Sequence, residues 1–400
     1  MLMSKKIYCR VYQWGLRTAL PFLPYRSPET IGSVRNIPEV IRKNNCRKVL
    51  IITDRGIYHL GLLNRLEDTL KKEDIPYALY TDVVANPTTE NVEAAVALYR
   101  EQGCDCLIGF GGGSSMDCAK ACGARIARPR KSLAKMKGIL KVIKKIPLLI
   151  AVPTTAGTGS ETTLAAVIVD AETRHKYAIN DFPLIPRYAV LDPKVTTSLP
   201  PAITASTGMD ALTHAVEAYI GRSTTKDTRK DALIAVQLIF ENLDLAVEDG
   251  TNLDARRNML RAAFYAGRAF TKSYVGYVHA VAHSLGGAYN IPHGYANAIL
   301  LPMVLEQYGE SIHSRLADLA KAAGVAPYQA EDREAAEQFI LAIQEMKNRY
   351  GIPDEIPELK EEDIPRLAVY ADQEANPLYP VPVLWDAKKL EEIYRLVLVN

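Results

Sequence analysis

Histidines with metal-ligand spacing lie in the second half of this 400-residue chain. Asp210 and His214 are four residues apart in DALTH, and His279 and His283 repeat that spacing in HAVAH. Side chains at i and i+4 project from the same face of a helix. His293 follows in NIPHG. This pattern predicts an oxygen–nitrogen site for Fe²⁺, Zn²⁺ or a similar ion, with the ligands Asp210, His214 and two of the three later histidines. The spacing does not say which two of these three histidines bind the ion.

A glycine cluster in the first half suits phosphate binding. Residues 107–120 read LIGFGGGSSMDCAK, in which a strand-like run leads into a helix from about Ser114. Glycine N–H groups and a helix N-terminus together bind a diphosphate, and Asp117 lies in the first turn, where an acid suits the helix dipole. Glycines also serve in ordinary tight turns, and the pattern is not the GxGxxG fingerprint. Nucleotide binding is the favoured interpretation.

Two more polar positions follow strand-like runs. Residues 153–161 read PTTAGTGSE, whose hydroxyl groups suit either ligand contact or capping of the next segment. Asp54 ends the run KVLIITD, where it can bind a ribose hydroxyl and repel a 2′-phosphate, which favours NAD over NADP. A simple turn or cap aspartate explains Asp54 equally well. The neighbouring Arg55 is a possible partner for the 2′-phosphate of NADP.

Strand-like and helix-like segments alternate through the first half of the chain. This alternation predicts βαβ units and a parallel sheet. We predict strands at 48–54, 77–83, 105–110 and 146–152, and helices at 36–46, 58–73, 90–103 and 114–127.

Strand signals nearly vanish after Pro200-Pro201. The fold class expected is therefore an α/β N-terminal dinucleotide-binding domain with a Rossmann-like parallel sheet, plus an all-α C-terminal metal-binding domain. We place the domains at residues 29–198 and 199–400, after an N-terminal extension at 1–28 of unknown role. Helices are predicted at 202–221, 226–247, 252–271, 274–288, 310–323, 330–350 and 385–398.

The composition argues against several classes of partner. A formal net charge of +2 is too balanced to favour nucleic acid or a membrane, and Arg10 and Arg17 interrupt any apolar signal or spanning segment. All six cysteines fall in the first third of the chain, which favours reduced thiols in a cytoplasmic protein. The cysteines at 104–122 lack the spacing of a structural zinc site. The basic stretch 125–145 is interpreted as a solvated surface.

Four motifs together resemble the iron-containing alcohol dehydrogenase family, over about residues 30–398. They are GGGSSMD at 111–117, PTTAGTGSE at 153–161, GMDALTHAVEAY at 208–219 and HAVAHSLGGAYNIPHGYANA at 279–298. The resemblance implies an active site in the cleft between the two domains. It also implies the metal ligands Asp210, His214, His279 and His293, with His283 near the nicotinamide and substrate instead of on the metal.

The same resemblance implies a set of residues that bind the cofactor. To these we add Asp117, from the helix that follows the glycine cluster. The expected cofactor-binding residues are Asp54, Asn86, Gly111, Gly112, Gly113, Ser114, Asp117, Thr154, Thr155, Thr158 and Lys176.

The expected reaction is reversible hydride transfer between a primary alcohol or aldehyde and NAD, with NADP as the alternative cofactor. Fe²⁺, or Zn²⁺ as the alternative, is expected to act as a Lewis acid on the substrate oxygen, and His283 is expected to relay the hydroxyl proton. Phe270 is expected to add an apolar wall to the pocket of a small-molecule substrate. A homodimer or higher homo-oligomer is expected. Two alternatives stay open: a metal-dependent lyase or synthase that uses NAD internally, and a non-catalytic nucleotide-binding protein.

Overall fold

A computed structural model describes residues 1–173 and 175–399. The chain divides into two compact units. The first, called here the α/β unit, comprises Pro24–Leu199 and Thr251–Leu260. The second, called the helical unit, comprises Met1–Leu23, Pro200–Gly250 and the chain from Arg261 onward.

The strands all belong to the α/β unit, within the part of the chain that is described. Their bounds are β1 (Glu29–Ile31), β2 (Val49–Ile52), β3 (Tyr77–Tyr80), β4 (Cys106–Gly111), β5 (Gly138–Ile139), β6 (Leu148–Pro153), β7 (Ala165–Val169), β8 (Lys176–Asn180) and β9 (Tyr188–Val190). The helices of the α/β unit are α2 (Ile37–Lys43), α3 (Arg55–His59), α4 (Asn64–Lys72), α5 (Thr89–Glu101), α6 (Gly113–Ala127) and α7 (Leu133–Met136). Helix α10 (Leu253–Ser273) has residues in both units. The helices of the helical unit are α1 (Met3–Ala19), α8 (Pro201–Ile220), α9 (Lys226–Glu248), α11 (Tyr277–Tyr289), α12 (His293–Tyr308), α13 (His313–Ala322), α14 (Asp332–Arg349), α15 (Ile364–Ala375) and α16 (Ala387–Leu396).

The main sheet is parallel, with strand order β1-β9-β6-β4-β2-β3. β2 and β4 are buried along their whole length, as expected for strands covered on both faces. Val49 and Ile51 belong to one core cluster, whereas Leu50 and Ile52 belong to another, because successive side chains alternate between the faces of a strand. The predicted parallel α/β fold is confirmed.

The strand order places a topological switch point between β2 and β4. From β2 the chain first adds β3 on one side and then returns to add β4 on the other. Ligands of open α/β sheets bind beyond the carboxyl ends of the strands at such a point. Asp54 follows β2 and the glycine cluster follows β4, so the sheet brings these two predicted features to the same edge.

Other details differ from the sequence predictions. The single helix expected at 58–73 is two helices, α3 and α4, separated by a turn in which Gly61 has a φ of +69°. A second sheet with the order β5-β8-β7 was not predicted, and neither was α15. The start of a helix at His293 was expected, and α12 begins there, but its extent to Tyr308 was not predicted. The extension at 1–28 contains the 17-residue helix α1.

The helical unit is built around α8, whose side chains from Gly208 to Ile220 are buried. Pro201 occupies the first helical position, where its missing N–H group leaves no unsatisfied donor. α8 packs against α9 and α12, and α11 packs against α12 and α15. The predicted helix-rich C-terminal region is confirmed. Among the described residues, the helices lack the combination of length and apolarity that is needed to cross a membrane.

Candidate functional site

Four potential metal ligands converge in the helical unit. Asp210 and His214 come from α8, His279 comes from α11, and His293 is the first residue of α12. One ligand atom from each lies within 4.8 Å of every other. Asp210 Oδ1 lies 4.0 Å from His214 Nδ1, 4.0 Å from His279 Nε2 and 3.5 Å from His293 Nε2. Ligand atoms that share an ion at 2.0–2.2 Å lie about 3–4 Å apart, so this group needs little adjustment to hold one.

The Asn297 side chain tests whether this group fits a cation. Its Nδ2 donates to Asp210 Oδ1 at 2.7 Å and lies 3.2 Å from His279 Nε2 and 3.1 Å from His293 Nε2. The Asp210 oxygen and the two imidazole nitrogens therefore all face the electropositive NH₂ group of Asn297. Asn297 Oδ1 is buried without a hydrogen-bond partner among the described residues. The lone pairs converge as a divalent cation requires.

Glu217 orients His279 from the opposite side. Glu217 Oε2 lies 2.6 Å from His279 Nδ1, and the same carboxylate accepts the N–H groups of Gly276 and Val278 at 2.8 Å each. A carboxylate on Nδ1 leaves Nε2 as the metal-binding nitrogen. Burial, together with the neighbouring imidazoles of His214 and His293, lowers the pKa of His279 well below its usual value. The ring is therefore neutral, as a ligand must be.

Phe270, the predicted pocket residue, stacks on His214. Their ring centroids are 4.1 Å apart and the planes differ by 13°. Phe270 lies on α10, so a fourth helix, besides the three that carry the ligands, contacts the imidazole of His214. An apolar ring thus lies directly beside the ligand group.

His283 lies next to the ligand group and is held by a different carboxylate. Its Nδ1 lies 2.5 Å from Glu374 Oε1, and Tyr379 donates its hydroxyl to the same oxygen at 2.7 Å. The His283 ring stacks on His293 at a centroid distance of 5.0 Å. Burial opposes the ionisation of Glu374, but the His283 imidazole and the Tyr379 hydroxyl outweigh it and lower the pKa of this carboxyl group.

In the α/β unit, the glycine cluster forms the turn from β4 into α6. Gly111 has a φ of +146°, and a Cβ atom there would lie 2.6 Å from Ser115 Oγ. A Cβ on Gly113 would lie 3.1 Å from Thr158 Cγ2. Gly112 caps α6 without any side-chain hydrogen bond, so the first N–H groups of this helix are not capped by a side chain. A phosphate is the kind of group that such N–H groups bind.

Three of the predicted cofactor residues meet beside this turn. Asn86 has a φ of +56° and donates its backbone N–H to Ser114 Oγ at 3.3 Å. Lys176 Nζ donates to Asn86 Oδ1 at 2.6 Å. The structure therefore brings together the loop after β3, the start of α6 and the start of β8. Asn86 and Lys176, which are in contact here, are 90 residues apart in the sequence.

Asp54 caps α3, which agrees with its interpretation as a cap. Its Oδ1 accepts the N–H of Ile57 at 2.9 Å, and Ser115 Oγ lies 3.5 Å from its Oδ2. Arg55 pairs with Asp82 at 2.7 Å. That pairing occupies the arginine that was the possible partner for a 2′-phosphate.

Asp117 and Thr154 have contacts inside the protein. Asp117 accepts from Ser160 Oγ at 2.7 Å and from the N–H of Val167 at 3.1 Å. Thr154 is 2% exposed, and its N–H donates to the Gly111 carbonyl at 3.0 Å. Lys120, which is fully buried, donates to Ser160 Oγ at 2.8 Å. These contacts tie the loop at 153–161 to α6.

The cysteines are all free thiols. Cys46, Cys106 and Asp105 form a second group with possible metal-ligand atoms. Asp105 already accepts the backbone N–H groups of Arg47 and Lys48 at 2.9–3.1 Å. The carboxylate therefore has a structural role as a cap of this loop.

Comparison with known proteins identifies the family. The model described as "Iron-containing alcohol dehydrogenase" matches residues 29–193, and the one described as "Fe-containing alcohol dehydrogenase family, C-terminal" matches residues 204–398. The chain belongs to the iron-containing alcohol dehydrogenase family. It is therefore an oxidoreductase that interconverts alcohols and aldehydes with a nicotinamide cofactor.

Individual relatives cover most of the chain. The 1,3-propanediol dehydrogenase of Klebsiella pneumoniae is 39% identical over 82% of this chain and 86% of its own length. A crystal structure of a 1,3-propanediol oxidoreductase matches with a TM-score of 0.89 and 35% identity, over 93% of this chain and 98% of that one. The sulfoacetaldehyde reductase of Bifidobacterium kashiwanohense, solved with NAD⁺, has a TM-score of 0.83 and 29% identity over 93% and 98%.

Three polar residues that contact the candidate ligands or His283 were not predicted from the sequence, namely Glu217, Asn297 and Glu374. Glu217 lies three residues after His214, and Asn297 lies four after His293, so helical spacing could have found both. Glu374 lies 91 residues from His283 and has no local signal.

Proposed function

We propose that Asp210, His214, His279 and His293 hold one divalent ion, Fe²⁺ or alternatively Zn²⁺, for dehydrogenation of a primary alcohol. The single observation that carries this proposal is the mutual approach of their ligand atoms within 4.8 Å. The ion supplies Lewis-acid polarisation of the substrate oxygen. Three neutral imidazoles and one carboxylate suit Fe²⁺ or Zn²⁺ better than Mg²⁺ or Ca²⁺, which prefer oxygen ligands alone.

His283 is proposed to move the hydroxyl proton. An imidazole that donates its Nδ1 proton to Glu374 uses Nε2 as its acceptor. Because the same carboxylate stabilises the protonated ring, His283 can take up the substrate's proton near neutral pH and pass it to solvent. Phe270 excludes water from the side of the group that His214 occupies.

The α/β unit is proposed to bind NAD. Gly111, Gly112, Gly113 and Ser114 form the phosphate-binding turn, and Asn86 and Lys176 lie against it. Asp54 is proposed to favour NAD, because its carboxylate repels a 2′-phosphate. The remaining predicted cofactor residues are Asp117, Thr154, Thr155 and Thr158. The contacts of Asp117 and Thr154 within the protein support an indirect role for these two, through the shape of the turn.

The arrangement of the whole enzyme follows from the same proposal. We propose that domain 29–198 binds the cofactor and that domain 199–400 holds the metal. The substrate is proposed to be a small primary alcohol, of which 1,3-propanediol is the first to test, since two relatives are named for it. A homodimer or higher homo-oligomer stays our prediction.

A substrate panel under anaerobic conditions tests this function. Protein loaded with Fe²⁺ or Zn²⁺ is given 1,3-propanediol and simple primary alcohols, with NAD or NADP, and formation of NADH or NADPH is measured. We expect net NADH and a higher kcat/KM for NAD. A lyase or synthase that uses NAD internally would form product without net NADH, and a non-catalytic binding protein would bind NAD without turnover.

A matched pair of histidine variants tests the ligand assignment. His214→Ala should lose the bound metal and nearly all turnover, whereas His313→Ala, on α13 of the same unit, should keep both. Metal is quantified on the purified, dialysed proteins. A full equivalent of metal in His214→Ala would show that the ligands are assigned wrongly.

A further inference from the structure

The helix α1 lies outside the residues that match the family, which begin at residue 29. Its inner face is fixed to the helical unit. Cys9 is 1% exposed, and Arg10 donates to the carbonyls of Val381 and Pro382 at 2.8 Å each. Gln13 Nε2 donates to the Tyr379 carbonyl at 2.7 Å. The helix is therefore docked, and its opposite face has a defined direction.

That opposite face is apolar and exposed. Met3, Ile7, Val11 and Trp14, called here the outer stripe, follow helical spacing and are 57–72% exposed. Beside Ile7 and Val11 a groove of about 450 Å³ continues the apolar surface onto residues 382–384. A contiguous apolar surface of this kind marks an interaction site.

The charge around the outer stripe is positive. α1 contains four Lys or Arg and no Asp or Glu, although the whole chain carries only +2. Of these four, Lys5 pairs with Asp372 at 2.7 Å and Arg10 donates to backbone carbonyls. Lys6 and Arg17 are exposed on α1. Burial, together with the positive charges of Arg229, Arg222 and Arg17, lowers the pKa of the Arg315 guanidinium. Arg17 therefore lies near further positive charge, from Arg222 and Arg229, which are exposed.

We propose that the outer stripe and its surrounding cations dock this enzyme on an anionic lipid surface, as a peripheral protein. A helix with an apolar face, flanking Lys and Arg and an exposed tryptophan has the chemistry of interfacial binding. A second copy of the chain fits less well. It would present the same basic helix, and α1 has no acid to neutralise it. The balanced charge of the whole chain predicted no membrane partner, but that average hides the concentration of positive charge on α1.

Vesicle binding by the full-length, metal-loaded enzyme tests the proposal. The chain has two tryptophans, Trp14, which is 68% exposed, and Trp385, which is 5% exposed. A blue shift of the emission on adding phosphatidylglycerol vesicles would therefore report Trp14 entering the interface. We expect this shift, together with co-sedimentation, and much weaker binding to pure phosphatidylcholine vesicles.

Variants that keep Trp14 separate the two contributions. Ile7→Ser with Val11→Ser should weaken binding at least about tenfold. Lys6→Gln with Arg17→Gln should weaken it about fivefold for each cation removed. The matched control is Tyr328→Ser, which removes a side chain that is 82% exposed elsewhere in the helical unit and should leave binding unchanged. Alcohol turnover should be the same in all of these variants, which shows that each is folded.

Three outcomes would overturn the proposal. One is the absence of wild-type binding to anionic vesicles, and another is equal binding to neutral vesicles. The third is binding that survives the serine substitutions. If vesicles are not bound and the serine variants instead lower the molecular mass in sedimentation, the outer stripe is an interface between copies.

Discussion

Carboxylates orient the histidines at the level of single residues. Glu217 restrains His279, and Glu374 restrains His283, each through Nδ1. In the first pair, the Nε2 atom of His279 is directed toward Asp210 and the other candidate metal ligands. In the second pair, the Nε2 atom of His283 is left as a proton acceptor. Two histidines four residues apart on one helix can therefore serve different roles, because different partners hold them.

His283→Ala should keep its metal and lower kcat by about 10²–10⁴-fold, the usual contribution of a positioned acid–base group. Glu374→Gln should lower kcat by less, because an amide oxygen can still accept the Nδ1 proton of His283. Metal content and the pH profile of alcohol oxidation are measured together. An unchanged kcat and pH profile would leave His283 with a packing role only, and loss of metal would make it a ligand.

Glu161 predicts a pH dependence of stability. This carboxyl group is 1% exposed, and burial raises its pKa to about 7 from the usual 4.5. A folded-state pKa above the unfolded value means that the folded protein binds the proton more tightly, so stability is full below about pH 4.5 and falls as the pH rises through 7.

Glu161→Gln should remove that loss. At pH 8 we expect the variant to be more stable than wild type by up to about 3 kcal/mol, with little difference at pH 4.5. Denaturant unfolding across this pH range is the measurement, and Glu172→Gln, at an exposed position of the same unit, is the control. Parallel curves for Glu161→Gln and wild type would refute the expectation.

At the level of elements, the turn from β4 into α6 is the part of the fold that is proposed to bind the cofactor phosphates. Its backbone can form only where side chains are absent, since a Cβ on Gly111 would lie 2.6 Å from Ser115 Oγ and its φ is +146°. Gly111→Ala should therefore displace the start of α6 and raise the Kd for NAD at least about tenfold, a free-energy change of about 1.4 kcal/mol.

Gly32→Ala is the control, because a Cβ there meets nothing within 4 Å. NAD binding is measured by calorimetry on metal-loaded protein. An unchanged Kd in Gly111→Ala would remove this turn from the cofactor site.

The elements differ in how far local sequence predicts them. β2, β4 and β6 are continuous apolar runs, and they were predicted because burial on both faces leaves that signature. β7 alternates between half-buried and buried positions and pairs with β8, so its stability comes from a partner and not from its own composition. β1 and β9 have three residues each, too few for a periodic signal.

Ligand-linked stability tests the two sites in the whole molecule. A ligand that binds only the folded state stabilises it by about 2.7 kcal/mol at 100 times its Kd. Fe²⁺ and NAD should each raise the unfolding temperature of the wild-type protein. His214→Ala should lose the increment from Fe²⁺ and keep the increment from NAD, and Gly111→Ala should show the reverse. Thermal unfolding with each ligand alone is the measurement, and an undiminished Fe²⁺ increment in His214→Ala would contradict it.

The sequence by itself determined the order of the main elements and a short set of residues able to bind a metal. Asp210 with His214, and His279 with His283, are local pairs, and helical periodicity is enough to put each pair on one face. Periodicity does not say which histidine turns toward Asp210. Only the tertiary structure decided that, because Glu374 is 91 residues from His283 and α15 must pack on α11 to deliver it. The same holds for α1, in which polar Arg10 and Gln13 lie on the docked face and apolar Ile7 and Val11 lie on the exposed one. Amphipathic spacing alone would bury the apolar face, so only the contacts with residues 379–382 show which face is left exposed.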